Sequence, residues 1–194
     1  MFKYILAVFT LLFAGPVFAA DCSYDGPAMQ ALDIKAFDQD MKGRWRPLAD
    51  MPECRPQAAD LIRAWREAHA ANLSAEDNQS LTWHEGQLRA ALNDYAGAIP
   101  LISVMLTHQD EAMRDYAAAT VAFLKRDKPA LLAVRQQMTQ VPKPEGFDEA
   151  AADYEQKYHQ KVIWPDNLDV VDGLIACFDK PYAEAYGSTC RPAS

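Results

Sequence analysis

Beyond residue 20 the chain has no apolar run approaching the roughly 18 residues that a membrane-spanning helix needs. It also lacks a C-x-x-C pair, an H-x-x-x-H or H-E-x-x-H pair and a G-x-S-x-G elbow. These gaps set aside a transmembrane protein, a thiolate zinc site, a helix-borne zinc centre and the nucleophile-elbow hydrolases. Alternating apolar and polar stretches of strand length are missing as well, which leaves all-α as the fold class. Basic residues are scarce: 19 Lys and Arg face 27 Asp and Glu, for a net charge of −8. A field of that sign repels phosphate, so nucleic acid and anionic lipid drop down the list of partners.

The apolar run that does exist stands at the start. Lys3 precedes Tyr4 to Ala14, then Gly15-Pro16, then the small-residue site Val17-Phe18-Ala19, the pattern of a secretory signal peptide over residues 1–20 cut after Ala19 or Ala20. Asp21 stands before Cys22, where a lipoprotein signal would place a small residue. The expectation is an exported, untethered chain, periplasmic or extracellular, with residues 21–194 forming one helical domain. Loss of Lys3 takes its charge to −9. Cys22, Cys54, Cys177 and Cys190 all survive cleavage, and an even count in an oxidising compartment points to disulfides. Three pairings are open. The local one, Cys22 with Cys54 and Cys177 with Cys190, is expected because it staples both ends of a helical array that would otherwise fray.

Apolar spacing places the helices. Met29, Leu32, Ala36 and Phe37 suggest one over 28–41, ended by Gly43, and Trp45 with Leu48 a short second one. Met51 to Pro56 reads as a turn, and Ala58, Leu61, Ile62, Trp65 and His69 as one face of a third helix. Polar residues 72–80 read as a loop. Pro100, six positions past an Asp94 cap, requires either a helix that starts later, near Gly97, or a kink. Val141 to Gly146 reads as a linker, 148–158 as a helix and Trp164 to Asn167 as a turn. Val171, Leu174, Ile175 and Phe178 then line a terminal helix that Pro181 interrupts.

The centre of the chain carries a repeat. Trp83, Gly86 and Asp94 are followed thirty-three residues later by Tyr116, Ala119 and Asp127, and a period of that length marks stacked helix hairpins. With Tyr95 and Ala98, the region near 81–140 resembles the tetratricopeptide family of helical repeats. The second unit departs from the family pattern at Lys128 and Leu131. The resemblance implies a short α-solenoid of antiparallel hairpins that binds a protein or peptide partner in a groove lined by the first helix of each hairpin. It would put Trp83, Gln87, Tyr116 and Thr120 on that groove. Gln87, polar in an apolar stretch, is the strongest of these, whereas Trp83 and Tyr116 serve equally well as packing residues. The segment from Trp164 onward is apolar enough to fill the groove.

No residue pattern calls for catalysis, a cofactor or a metal. His84 beside Glu85 suggests acid–base chemistry, but neighbours on a helix point about 100° apart, so a surface histidine is expected. Asp38 with Asp40 and Asp169 with Asp172 read as solvated acidic pairs. The first functional expectation is therefore an exported partner-binding helical protein. The alternative is a secreted inhibitor or immunity-type protein whose acidic surface blocks a basic enzyme, and an enzyme built on converging His and Asp residues ranks third.

Overall fold

The structure, a computed structural model, describes residues 21–40, 44–159 and 161–192. The signal-peptide stretch and Gly43 lie outside the described residues. Among the described residues every regular element is helical, and no helix is long and apolar enough to cross a membrane.

The N-terminal part is a cap of short pieces. Helix α1 (Gly26–Gln30) starts where the Asp25 carboxylate accepts from the Ala28 amide, and it stops after five residues. A separate π-helical turn, Lys35–Gln39, then buries Phe37 and Asp38. The single helix expected over 28–41 is thus two pieces, because the Asp33 carboxylate accepts from the Ala36 amide and starts a new turn. Helix α2 (Arg46–Asp50) and a 3-10 turn at Pro52–Cys54 lead into α3 (Arg55–His69). Trp65 of α3 stacks between Phe37 at 4.6 Å and His69 at 4.0 Å.

Two hairpins follow. Helix α4 (Ala75–Ala91) pairs with α5 (Tyr95–Ile102), and α6 (Glu111–Leu124) with α7 (Lys128–Met138). Their turns repeat atom for atom at the sequence period. The Asp94 amide donates to Arg89 O at 3.0 Å and the Asp127 amide to Ala122 O at 2.9 Å. Asn93 and Arg126 take left-handed φ of 63° and 58°, and the two aspartates cap the amides of Gly97 and Ala130. Each turn therefore satisfies the closing carbonyls of one helix and the opening amides of the next. Pro100 is accommodated without a late start: α5 begins at Tyr95 and gives way to a 3-10 turn at Ser103–Thr107 just past the proline. Gly86 lets α4 and α5 approach closely, since a Cβ there would meet Ile102 Cγ1 at 2.8 Å. Helix α4 also reaches back to Ala75, through residues expected to be loop. Ser74 accepts from the Asp77 amide, and Glu76 and Asp77 suit a helix start.

The exposed helix α8 (Phe147–Tyr158) opens after Gly146, whose φ of 77° the missing side chain permits. Helix α9 (Leu168–Ala176) and the short α10 (Tyr182–Ala185) then fold back onto the hairpins.

Helix α4 is a wall shared by two cores. Leu81 and Leu88 face the N-terminal cluster of Phe37, Leu48, Ile62 and Trp65. Trp83 and Ala90 face a second cluster with Ile102, Tyr116, Phe123, Leu131, Leu174 and Tyr182. Residues two apart on a helix lie about 200° apart, so both stripes coexist on one helix. Disulfides Cys22–Cys54 and Cys177–Cys190 close the two ends, the local pairing. Their sequence separations are 32 and 13. Reduction of either bond should therefore cost about 3 to 4 kcal/mol in the chain-entropy account, read as a lower urea midpoint under reductant or in a Cys-to-Ala pair. An unchanged midpoint would show that packing alone holds that end.

Candidate functional site

The face expected to be an open groove is filled from within the chain. Trp83 is 5 % exposed and Tyr116 3 %, and their rings meet edge-on at 5.2 Å. Thr120 is 0 % exposed and spends its hydroxyl on Tyr116 O at 2.9 Å. The C-terminal segment joins the same core. Tyr182 packs on Phe123 at 6.1 Å, and Phe178 packs edge-on against the same ring at 5.7 Å. Arg126, at the tip of the second hairpin, lies over Phe123 at 4.9 Å and donates to Phe178 O and Lys180 O. The Tyr182 amide donates to the Tyr95 hydroxyl at 3.0 Å.

Of the four, Gln87 lines a separate, open cleft. A third face of α4, His84, Gln87 and Ala91, forms the floor of a cleft of about 420 Å³. One wall is Trp45, Arg46 and Ala49 of α2 with Arg55 at the start of α3, and the other is Tyr182, Ala183 and Tyr186 around α10. That volume falls in the range of ligand pockets, with apolar walls and a few converging polar groups. Arg55 donates from Nε to Ala49 O at 3.1 Å, and no carboxylate among the described residues lies within ion-pair distance of it. Arg46 lies over the Trp45 ring at 4.3 Å. Asp50 also lines the cleft, and Arg46 is offset by Asp38 at 3.9 Å, so among the described residues Arg55 supplies the positive charge of this aromatic-walled cleft. Burial pushes the Tyr116 and Tyr182 hydroxyls well up, and neighbouring tyrosine hydroxyls add to the effect. Gln87 acts the other way on Tyr182 without closing a hydrogen bond to it.

Beside the cleft lies a cluster that sequence reasoning placed on the surface. Asp38 is 1 % exposed. His84 Nδ1 stands 2.8 Å from one carboxylate oxygen, which also accepts from Trp45 Nε1 at 3.2 Å, while Gln39 Nε2 donates to the other at 3.0 Å. Arg46 is 3.9 Å away and donates to the Asp38 carbonyl. Burial works against the charged carboxylate, but the hydrogen bond and charge of His84, with Arg46 and Trp45, outweigh it and hold Asp38 below the usual aspartate value. His84 is thus a half-buried partner of the N-terminal cap rather than a free surface side chain. Nothing local signals this, because the two residues are 46 positions apart.

Glu85, His84's neighbour, points the other way. It is 2 % exposed and is clamped by Arg66 at 3.1 Å and by Arg89 at 2.9 and 2.8 Å. Arg89 also reaches Asp60 at 3.2 Å. The second acidic pair is split between two partners: Asp172 binds Arg135 at 2.8 Å and Asp169 binds Arg191 at 3.2 Å. Among the described residues, no group of three His, Cys, Asp or Glu side chains is placed to hold a metal.

The chain matches no protein-family model, no curated protein and no solved structure. Its function has to be read from the cleft and the cluster themselves.

Proposed function

We propose an exported helical-repeat protein, TPR-like in its paired hairpins, that binds a protein or peptide partner in the α2–α4–α10 cleft and performs no chemistry on it. The carrying observation is the position of Gln87. It stands on the floor of an aromatic-walled opening of about 420 Å³ whose rim carries Arg46 and Arg55. These donors suit the carbonyls and carboxylates of a polypeptide segment, and Trp45 and Tyr186 suit an apolar side chain beside them. The two disulfides and the absence of a membrane-crossing helix among the described residues accord with an exported chain.

The test is a double variant, Arg55→Glu with Gln87→Ala, used as bait beside the wild type against the secreted or periplasmic fraction of the source organism. Both changes sit outside the two cores, so circular dichroism should show an unchanged fold. Affinity for the wild-type partner should fall at least tenfold, roughly 1.4 kcal/mol. A partner held equally well by the folded variant would move the site elsewhere.

A further inference from the structure

On the other side of His84 a second cavity, of about 320 Å³, is lined by residues of three helical elements and the N-terminal cap. Helix α4 supplies Ser80, Trp83 and His84, the 3-10 turn at Ser103–Thr107 supplies Met105, and α6 supplies Met113. Asp38, Gln39 and Arg46 close it from the N-terminal cap.

The geometry points to a binding site for a soft monovalent metal ion, Cu(I), held by the His84 imidazole and the thioethers of Met105 and Met113. His84 is oriented as a metal-binding histidine is: its Nδ1 is engaged by a buried carboxylate at 2.8 Å. With Nδ1 engaged by the carboxylate, Nε2 is the ring nitrogen left for a metal. The donor set then selects the ion. Among the described residues Asp38 is the only carboxylate lining the cavity, and its oxygens are committed to His84, Trp45 and Gln39. Calcium and magnesium, which require several oxygen ligands, find no suitable set. Thioethers carry no charge and suit soft ions, for which one imidazole and two sulfurs are a sufficient set. The four cysteines are consumed in disulfides and cannot compete as thiolates. Met105 is nearly buried, and Trp83 lines the cavity beside it. The half-exposed His84 edge is the way in.

Plain packing is the competing account of Met105 and Met113, and the two accounts make different predictions. Leu is nearly isosteric with Met in a core, so the double variant Met105→Leu and Met113→Leu should fold with a small cost. Titration of the oxidised, disulfide-intact protein with Cu(I) under anaerobic conditions, in competition with bicinchoninate, should give one ion per chain. The double variant should bind at least a hundredfold more weakly. X-ray absorption of the loaded protein should show two sulfur scatterers and one nitrogen. Failure to withdraw Cu(I) from bicinchoninate, or binding left unchanged in the folded Leu variant, would overturn the site. So would a first shell without sulfur. The inference stands apart from the partner reading, because neither Met105 nor Met113 lines the Gln87 cleft.

Discussion

Asp38→Ala is expected to destabilise the protein by about 3 kcal/mol, the low end of the range for removing one partner from a buried charge pair. The low end applies because His84 and Arg46 keep 23 % and 17 % of their side-chain surface in water and recover some hydration. The Trp45 indole N–H and the Gln39 amide would also lose their acceptor. For a chain of this size the loss corresponds to a fall of about 6 to 12 °C in Tm. Residues 21–54, which the carboxylate ties to α4, should show it first as faster amide exchange. The pH dependence has a fixed sign. Native Asp38 titrates below the ordinary value of 3.8, so its contribution is complete above that value and is lost as pH falls through the lower native one. In Asp38→Asn the acid limb of a stability–pH curve should be shallower than in the wild type. An alanine variant that melts with the wild type would show that the cap is held by its apolar contacts and disulfide alone.

Glu85→Ala should cost more, about 4 kcal/mol, because one carboxylate faces two guanidinium groups. Its removal leaves Arg66 and Arg89 together at the α3–α4 interface, each with only 20 % of its side chain exposed. Arg89→Ala should cost less. Arg66 would still neutralise Glu85, and Asp60, at 56 % exposed, is readily hydrated. Urea unfolding of the two variants gives the comparison directly. An Arg89 variant as unstable as the Glu85 variant would mean that packing of the arginine stem, rather than charge, dominates.

The parts of the fold that rest on local chemistry were legible in the residues. Asp94 and Asp127 announce their caps, and the period between Trp83 and Tyr116 announces two hairpins whose turns are alike in dihedral angle and hydrogen bond. The local cysteine pairing follows from which ends need holding. Helix α4 was harder to delimit. Its first turn is polar and exposed, so apolar spacing carries no signal there and only the Ser74 cap marks the start. The break between α1 and the turn at Lys35 was missed because one apolar spacing spans both.

The site was less legible, for a different reason. Gln87 stands out in sequence because a polar residue interrupts an apolar stretch, and it does line the open cleft. Trp83, Tyr116 and Thr120 are buried in the core they share with Phe123, Leu174 and Tyr182, and the sequence shows only that the C-terminal segment is apolar enough to join that core. The pairing of Asp38 with His84, and the meeting of His84 with Met105 and Met113, depend on tertiary folding across separate elements. No spacing rule encodes either.

The most direct test of the partner-binding account is photo-cross-linking with one photoreactive residue at position 87 and, separately, at position 132, where Leu132 is 47 % exposed on α7 away from the cleft. Position 87 should trap a single partner polypeptide, and position 132 should trap none. Equal capture at both positions, or capture at 132 alone, would contradict it.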